Sequence, residues 1–472
     1  MENQYYKKQH RGITNKNFIT EQSAQSYDNY ENFRQITTSQ FGEVYICTHI
    51  PSKRTRCMKI YKKEKLNNIN QNNFEEEIEL VKQLDHPNIF KIYEFFQDGS
   101  NFYLVSEYLD GGELFDYIEK NKTFDEKTVC IIMEQVFSAI LYLHKRGIVH
   151  RDIKPENIML SKKDDIYSIK LIDFGTSKAF IKDDKMNAPM GTCYYMAPEM
   201  LRRNYDERID IWACGIMMYM MLVGYPPFNG DDNLEIFTHI LKSPLLFDKD
   251  DWEDKTPSAR DLLSRILEKD PEKRISIDDI FNHEWFKRKF DTVCFDYQSV
   301  ANRFKAYHRS SKLEKAIRMF IVQTYDLEED ERVLLALFKE HDLNHDGMLD
   351  VHELTEALKK MDNPLEAHEF LALADVNQNG VVNFSEFLMV AIDFKKKIND
   401  NVLESIFRTI DVGNDGYITK IELRKFLNLE EHDPLLDELI KEVDKNNDSF
   451  ISLDEFLLSL KNISSHSSMK KV

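Results

Sequence analysis

Two short runs of residues in the middle of the chain carry the side chains that phosphoryl transfer requires. The first run is His150-Arg151-Asp152-Ile153-Lys154-Pro155-Glu156-Asn157, and Asp173-Phe174-Gly175 begins 16 residues after Asn157. Phosphoryl transfer needs carboxylate and amide oxygens for Mg²⁺, a cation beside the phosphates and an acceptor for the hydroxyl proton. Each of these groups is present, and Ala197-Pro198-Glu199 follows in the chain.

These runs, in this order, resemble the signature set of the protein kinases, and the resemblance covers about residues 30–288. It implies that Asp152 orients and deprotonates the substrate hydroxyl and that Lys154 neutralises the transferred phosphoryl group. It also implies that Asn157 and Asp173 hold Mg²⁺. The cofactors would be ATP and Mg²⁺, and the further residues implied to form the ATP site are Ile36, Gly42, Val44, Lys59, Glu77, Glu107 and Glu113.

Lys59 and Glu77 have a specific expected relation within this ATP site. Lys59 lies in Cys57-Met58-Lys59-Ile60 and should contact the α- and β-phosphates. Glu77 lies on a predicted helix over Asn73–Leu84 and should pair with Lys59.

The residues around the catalytic aspartate indicate the substrate class. Lys154, together with Gly191-Thr192, resembles the serine/threonine kinases rather than the tyrosine kinases. Glu113 and Glu156 match positions that pair, in related kinases, with an arginine upstream of the phosphorylated residue, so a basic residue about three positions before the target is expected. The alternative for Glu113 is contact with the ribose or with solvent.

Two departures from the kinase pattern matter. The phosphate-covering loop has Thr37 and Ser39 where the family has its first two glycines, and only Gly42 remains. Nucleotide affinity is therefore in doubt, and the alternative function is a Ca²⁺-responsive pseudokinase that acts as a scaffold. In the activation segment, Asp183-Asp184 either pairs with Arg151 in place of a phosphate or faces solvent.

The last third of the chain holds a fourfold acidic repeat. Its loops begin at Asp342, Asp375, Asp411 and Asp444, with spacings of 33, 36 and 33 residues. Each fits the EF-hand rule, in which oxygens at positions 1, 3, 5 and 9, the carbonyl at 7 and a glutamate at 12 surround Ca²⁺. The predicted Ca²⁺ ligands are Asp342, Asn344, Asp346, Met348, Asp350 and Glu353 in loop 1; Asp375, Asn377, Asn379, Val381, Asn383 and Glu386 in loop 2; Asp411, Asp415, Tyr417, Thr419 and Glu422 in loop 3; and Asp444, Asn446, Asp448, Phe450, Ser452 and Glu455 in loop 4.

The four loops differ in ways that should affect Ca²⁺ binding. Loop 1 fits at every position and supplies four carboxylates, whereas loop 2 has only two and should bind more weakly. Loop 3 has Gly413 at position 3, so a water would have to replace that side-chain oxygen. Loop 4 has Ser449 where the sharp turn prefers glycine, which predicts modest backbone strain.

The segment between the two halves is basic and amphipathic. Val300–Val322 contains six basic residues and the single acid Glu314, beside the apolar stripe of Leu313, Ile317, Phe320 and Ile321. Such a helix resembles a calmodulin target, which EF-hand pairs bind through grooves that Ca²⁺ exposes. The alternative is a solvated linker helix without a regulatory role.

Kinase, basic helix and four EF-hands in this order resemble the calcium-dependent protein kinase family of plants and protists, over about residues 30–465. The resemblance implies signal transduction by autoinhibition: the junction segment blocks or distorts the kinase until Ca²⁺ rises. The implied partners are protein substrates with Ser or Thr near basic residues, and the EF-hands should contact the junction helix within the chain. A second alternative is a Ca²⁺ buffer joined to an unregulated kinase.

Composition and charge agree with a multidomain chain of this kind. The sequence has 472 residues and 63 basic against 82 acidic side chains, a net charge of −19 that opposes nucleic acid and anionic bilayers as partners. Six scattered cysteines predict a reducing, cytoplasmic location. The first residues show no signal-peptide core, and Glu2 lacks the glycine for myristoylation, so no membrane anchor is expected.

The expected fold class is an α+β bilobal protein kinase followed by an all-α, calmodulin-like EF-hand domain. The predicted organisation is a disordered tail over 1–27, a kinase domain over 28–288 with its small lobe ending near 106 and its large lobe over 107–288, an autoinhibitory junction helix over 289–329, EF-hand pairs over 330–396 and 397–465, and a tail over 466–472.

Overall fold

The computed structural model shows a strand-rich small lobe, a helical large lobe and a helical C-terminal half, which confirms the predicted fold class. It describes residues 21–22, 24–38, 42–65, 78–180, 185–188, 191–287, 297–307, 310–325, 328–360, 366–427, 429 and 433–463. Two large apolar cores follow this division. The first lies under the kinase lobes, and the second joins the junction segment to the EF-hand region.

The small lobe is built on a six-stranded sheet in the order β1-β5-β6-β4-β3-β2. Alternating burial places Met58 and Val105 on one face, where they pack with Tyr30, Cys47 and Phe96. This face fixes the register of the central strands, because a shift by one residue would turn the apolar side chains outward. The strands are β1 Glu21–Gln22, β2 Tyr30–Thr38, β3 Gly42–His49, β4 Arg54–Lys62, β5 Ile92–Gln97 and β6 Asn101–Glu107.

The N-terminal segment differs from the predicted disordered tail. Strand β1 pairs in parallel with β5, and Ala24–Asn29 forms a 3₁₀ helix. Tyr27 stacks on Phe33 with ring centroids 4.8 Å apart. Residues 21–22 and 24–27 thus form regular structure within the segment predicted as a tail, and the Tyr27 ring packs against a residue of the sheet. The earlier part of the tail, residues 1–20, lies outside the described residues.

The large lobe is organised around two long helices that are buried along most of their length. All six positions whose spacing predicted a buried helical face, from Val129 to Leu143, are buried. This helix begins after Asp125, whose carboxylate accepts a hydrogen bond from Thr128 N, and it ends before Gly147 at φ +70°. The helices of the lobe are α1 Leu114–Asn121, α2 Glu126–Lys145, α3 Pro198–Leu201, α4 Arg208–Val223, α5 Asn233–Lys242, α6 Lys249–Trp252, α7 Pro257–Ile266 and α8 Ile277–Phe281.

Helix α2 is long and apolar enough, by length and composition, to cross a membrane, but most of it is buried inside the lobe. It is a core helix. Short strand pairs beside it carry the catalytic segments. They are β7 Ile148–Val149 with β10 Lys178–Ala179, and β8 Ile158–Leu160 with β9 Ile169–Leu171.

The junction segment forms two helices, α9 Tyr297–Tyr307 and α10 Lys312–Thr324, where the sequence predicted one. Ser311 begins the second, because its hydroxyl accepts a hydrogen bond from Glu314 N. The apolar stripe of α10 packs into the EF-hand core: Leu313, Ile317 and Ile321 are fully buried there. The predicted contact between the EF-hands and the junction helix is therefore present.

The EF-hand region contains two pairs of loops, each joined by a short antiparallel ladder. Strand β11 Met348–Leu349 pairs with β12 Val382–Asn383, and β13 Tyr417–Ile418 pairs with β14 Ile451–Ser452. In loops 2, 3 and 4, the residue at position 9 caps the following helix, and the glutamate at position 12 completes a capping box. The helices are α11 Glu328–His341, α12 Val351–Lys360, α13 Ala367–Ala374, α14 Phe384–Ala391, α15 Phe394–Lys397, α16 Asp400–Ile410, α17 Lys420–Phe426, α18 Pro434–Val443 and α19 Leu453–Ser459.

Candidate functional site

The predicted catalytic residues lie together in the loop after β7. Lys154 Nζ lies 2.9 Å from Asp152 Oδ2 and 3.0 Å from Thr192 Oγ1. Asn157 Nδ2 donates to the backbone oxygen of Asp152 at 2.8 Å and to its carboxylate at 3.0 Å. These bonds hold the Asp152 carboxylate in one orientation, as a group that must accept a proton from a bound hydroxyl requires.

A buried aspartate on α4 anchors this loop from below. The Asp210 carboxylate accepts hydrogen bonds from the backbone N–H groups of His150 and Arg151, both at 2.9 Å. His144 Nε2 lies 2.9 Å from the same carboxylate. Burial alone would raise the pKa of Asp210, but these partners lower it below its usual value. Arg151 is held at φ +70°, a strained conformation for a non-glycine residue that these bonds stabilise.

Asp173, the second predicted Mg²⁺ ligand, is also held at a positive φ, +61°. The next residue, Phe174, is buried and its ring lies 5.9 Å from Phe90 and 5.1 Å from His150. Ile172 N donates to the backbone oxygen of Asn157 at 2.8 Å, which brings the segments of the two predicted Mg²⁺ ligands together. Their amide and carboxylate oxygens are the donors that Mg²⁺ prefers.

The ATP-site residues on the small lobe are placed by the sheet. Lys59 lies opposite both Val44 and Leu104 in the register, on the central strand β4. A Cβ atom at Gly42 would lie 1.8 Å from the Ile60 carbonyl oxygen, so only glycine fits at that position. Ile36 is exposed on β2, and the predicted partner of Lys59, Glu77, lies outside the described residues.

Glu107 and Glu113, two acids predicted to line the ATP site, have other charged or polar neighbours in the structure. The Glu107 carboxylate accepts a hydrogen bond from Lys91 N at 2.7 Å and lies 3.3 Å from Lys170 Nζ, so it ties β6 to β5 and β9. Glu113 is exposed, and its pKa is raised by partial desolvation of its carboxylate and then by the nearby acids Asp116 and Glu156.

The activation segment is tied to the large lobe on both sides of its centre. Arg151 Nε donates to the Thr176 carbonyl at 2.5 Å, while Asp183 and Asp184, its alternative partners, lie outside the described residues. Glu199 forms a fully buried ion pair with Arg274, with N···O distances of 2.5 and 3.0 Å. Asp210, Arg274 and Thr192 were not predicted as site residues. The one available signal was Asp210 itself, an acid at the start of a long apolar run.

The calcium loops share one pattern of backbone hydrogen bonds. In loop 1, Asp342 accepts from Asp346 N and Gly347 N at 3.0 and 2.9 Å. Glu353 accepts from Asn344 N at 3.0 Å and from Asp350 N at 3.0 Å. Loops 2, 3 and 4 repeat these bonds through the side chains at positions 1 and 12. The loops are thus closed around clustered oxygens.

The charges in loops 1 and 2 fit a divalent cation. Burial and the neighbouring carboxylates of Asp346 and Glu353 raise the pKa of Asp342 well above its usual value. Burial raises the pKa of Glu386 in loop 2 to about 8. Buried like charges of this kind are costly unless a cation compensates them. Amide or hydroxyl side-chain oxygens and a backbone carbonyl would complete each Ca²⁺ shell beside the carboxylates.

Loops 3 and 4 show the predicted departures. Gly413 offers no side-chain oxygen, and its N–H donates to Glu422 at 2.9 Å. Ser449 is held at φ +71°, close to the +72° of Gly347 and the values of +87° and +86° at Gly380 and Gly416, so the strain predicted for loop 4 is confirmed. Hydrogen bonds from Ser452, first its hydroxyl and then its N–H, lower the pKa of Glu455 to about 2.

Comparison with known proteins gives matches over both halves of the chain. The protein kinase domain model matches residues 30–286, and the EF-hand domain pair model matches residues 330–391 and 400–460. Calcium-dependent protein kinase 5 of Plasmodium falciparum (isolate 3D7) is 38% identical over 419 residues, which cover 86% of this chain and 73% of that protein. Calcium-dependent protein kinase 4 of Plasmodium berghei (strain Anka) is 35% identical over 461 residues, which cover 93% of this chain and 87% of that protein.

Proposed function

The chain belongs to the calcium-dependent protein kinase family, and from this premise we propose that it phosphorylates Ser or Thr near basic residues, and that its junction segment restrains the kinase until Ca²⁺ binds the EF-hands. It is a Ca²⁺-regulated protein kinase. The scaffold alternative, which rested on Thr37 and Ser39, has no support from the relatives, which are named as kinases.

The side chains around Asp152 carry the proposed reaction. Asp152 receives the proton of the substrate hydroxyl at its carboxylate as that hydroxyl oxygen attacks the γ-phosphorus, and Lys154 neutralises negative charge on the transferred phosphoryl group. Asn157 and Asp173 would hold Mg²⁺. MgATP would supply the phosphoryl group, with Mg²⁺ neutralising part of its negative charge, and Lys59 would position the α- and β-phosphates. The single observation that carries the proposal is the hydrogen-bonded arrangement of Asp152, Lys154 and Asn157.

A basic substrate context is supported by an acidic surface next to this arrangement. One oxygen of Glu156 is buried without a hydrogen-bond partner in the part of the chain that the structure describes. Partial desolvation raises the pKa of Glu113, and the nearby charge of Glu156 adds to that shift. Two crowded acids with an unsatisfied oxygen are stabilised by a cationic side chain, and an arginine can bind both through its planar group.

The substrate preference is tested with two peptides that differ only in having arginine or alanine three positions before the target serine. We expect the Glu156→Gln variant to raise KM for the arginine peptide by about tenfold, because a charge-assisted hydrogen bond is lost, and to leave the alanine peptide unaffected. Glu119→Gln, an exposed position on α1, is the matched control. Equal effects on the two peptides would contradict the proposed role.

Regulation by the junction segment is supported by where its helices pack. Arg303 NH1 donates to the Ala391 carbonyl at 2.6 Å, and Arg318 lies in the EF-hand core, paired with Glu314 at 2.8 Å. Among the described residues, the hydrogen bonds and ion pairs of the catalytic loop and of Asp173 all stay within the kinase domain. We therefore assign this arrangement to the active enzyme, in which the EF-hands hold the junction away from the catalytic loop.

The small lobe contributes to holding the junction in this place. Lys91 Nζ donates to the Val322 carbonyl at 2.8 Å, and Arg56 donates to the carbonyl of Thr324. These carbonyls belong to the last turn of α10, where backbone oxygens have no N–H donors within the helix. The partial negative charge at this end of the helix also attracts cations. Removal of residues 300–472 tests the regulation: the truncated kinase should be active without Ca²⁺, whereas basal activity equal to that of the intact chain in chelator would favour an unregulated kinase joined to a buffer.

A cytoplasmic location is proposed on the state of the cysteines. Cys47, Cys57, Cys130, Cys193 and Cys214 are free thiols, as expected in a reducing compartment. Fractionation of cells with a tagged full chain tests this location, and recovery in the secreted fraction would contradict it.

A further inference from the structure

The central turn of loop 1 lies against the kinase large lobe. The His345 ring stacks on Phe281 with centroids 4.6 Å apart and an interplanar angle of 17°. Lys145 Nζ lies 2.6 Å from Asp346 Oδ2, and Met348 packs against the kinase core. Two of these loop residues, at positions 5 and 7, are predicted Ca²⁺ ligands. The kinase domain therefore contacts the part of loop 1 that carries two of its predicted Ca²⁺ ligands.

This contact distinguishes loop 1 from the other loops. Gly347, Gly380 and Gly416 occupy the same position 6 and share positive φ values between +72° and +87°. A Cβ atom at Gly347 would lie 2.0 Å from His86 of the kinase domain, whereas nothing lies within 4 Å of one at Gly380 or Gly416. Glycine at 347 thus serves both the turn and the close approach of the two domains.

The two oxygens of Asp346 have different partners. Oδ1 accepts a hydrogen bond from Met348 N at 3.0 Å, as Asp415 Oδ1 and Asp448 Oδ1 do from the residues at position 7 of their own loops. Oδ2 accepts from Lys145 Nζ. Lys145 is the last residue of α2, so the kinase core helix presents a cation to a carboxylate that loop 1 needs for Ca²⁺.

We propose that Lys145 sets the calcium affinity of loop 1, because its ammonium group and Ca²⁺ share the carboxylate of Asp346. Two cations on one carboxylate repel each other, so the docked loop binds Ca²⁺ more weakly than it would without the charge at position 145. Linkage makes the effect reciprocal: Ca²⁺ in loop 1 weakens the Lys145–Asp346 pair by the same factor. Through this pair the occupancy of loop 1 is coupled to its contact with the kinase domain. The inference rests on Ca²⁺ binding by the EF-hands.

Lys145 is placed so that its charge can be removed without disturbing the other contacts of loop 1. Its side chain is 37% exposed, whereas that of Asp346 is 9% exposed. The stacking of His345 on Phe281 and the packing of Gly347 on His86 do not involve Lys145, so we expect its replacement to leave them in place. A partly exposed charge of this kind changes the affinity of a nearby cation by about three- to tenfold.

The test uses the full chain with Glu386→Gln, Glu422→Gln and Glu455→Gln, so that only loop 1 keeps its glutamate at position 12. Equilibrium dialysis with ⁴⁵Ca²⁺ measures the dissociation constant. We expect Lys145→Met to lower it by about three- to tenfold. Lys145→Arg, which keeps the charge, should leave it unchanged, as should Lys127→Met at the exposed first turn of α2.

Two results would overturn the inference: an unchanged or higher dissociation constant in Lys145→Met, or the same tightening in Lys145→Arg, which would point to packing rather than charge. A background protein that binds no Ca²⁺ at all would instead contradict the assignment of loop 1 as a metal site, and with it the proposed regulation. The two failures are therefore distinguishable in one set of titrations.

Discussion

Replacement of Gly347 by alanine tests whether loop 1 is docked on the kinase domain. The added Cβ would lie 2.0 Å from Cδ2 and 2.3 Å from Nε2 of His86. His86 cannot turn aside easily, because it is 5% exposed, its Nδ1 accepts a hydrogen bond from Asn88 N at 3.0 Å, and its Nε2 lies 3.1 Å from Ser138 Oγ. The clash must therefore separate the two surfaces or displace a buried ring.

Comparison with the same substitution in loops 2 and 3 separates two contributions to the free-energy cost of Gly347→Ala. A side chain at a positive φ costs about 1–2 kcal/mol, and Gly380→Ala and Gly416→Ala bear this cost as well. Only Gly347→Ala adds overpacking against a buried side chain, about 1–3 kcal/mol more. We expect the loop 1 contact to open about 5–150 times more often in Gly347→Ala than in Gly380→Ala.

Hydrogen exchange measured by mass spectrometry reports this opening in peptides that cover residues 78–90 and 138–150 of the kinase domain. Gly347→Ala should speed exchange in both peptides, and Gly380→Ala should not. Adding His86→Ala to Gly347→Ala should restore part of the protection, because it removes the clashing ring. Equal exchange in the two alanine variants would refute a close packing of loop 1 on the kinase.

Three further predictions concern single positions. Ser449→Gly should tighten Ca²⁺ binding by loop 4 about two- to fivefold, measured by calorimetry, because glycine relieves the strain at φ +71°. Arg274→Met should lower the free energy of unfolding by about 3–5 kcal/mol in urea titrations, because Glu199 is left buried without its partner. Burial would raise the pKa of Asp206, but hydrogen bonds from Arg208 and Lys185 hold that pKa well below its usual value. The ionised carboxylate therefore stabilises the fold above the unfolded-state pKa of about 4. This stabilisation is lost progressively as the pH falls from there through the lower pKa of the folded state. Unfolding of Asp206→Asn in urea should therefore depend less on pH in the acid range.

Two of these predictions have a matched control variant, and the third has a contradicting outcome. Ser449→Ala keeps the strained φ and should not tighten loop 4. Lys273→Met, next to Arg274 but 75% exposed, should change the free energy of unfolding by less than about 0.5 kcal/mol. For Asp206, a wild-type and a variant protein that lose stability in parallel as the pH falls would show that the ion pairs do not contribute.

The kinase fold and its catalytic loop could be predicted from sequence because their chemistry needs particular residue types at fixed spacings. The same holds for the EF-hand loops, whose ligand positions repeat every 33 or 36 residues. Apolar spacing also placed the buried face of α2 correctly, since Val129 through Leu143 line one helix that the lobe encloses. The strain at Ser449 followed from the need for a positive φ at position 6.

Other features depend on contacts between segments that are distant in the chain. The order of Tyr27 and β1 comes from packing against the small-lobe sheet, which their polar neighbours in sequence conceal. The break between α9 and α10 follows from the Ser311 cap, which a basic run does not reveal. The pair between Lys145 and Asp346 joins residues 201 positions apart, and each looks ordinary in its own segment.

The most direct test of the account is phosphate transfer from ATP to a basic serine peptide by the intact chain, measured against free Ca²⁺. We predict low turnover in chelator, a steep rise with Ca²⁺, and a higher Ca²⁺ midpoint for Glu353→Gln, which removes the charge at position 12 of loop 1. The same turnover in chelator and in saturating Ca²⁺, from folded full-length protein, would contradict it.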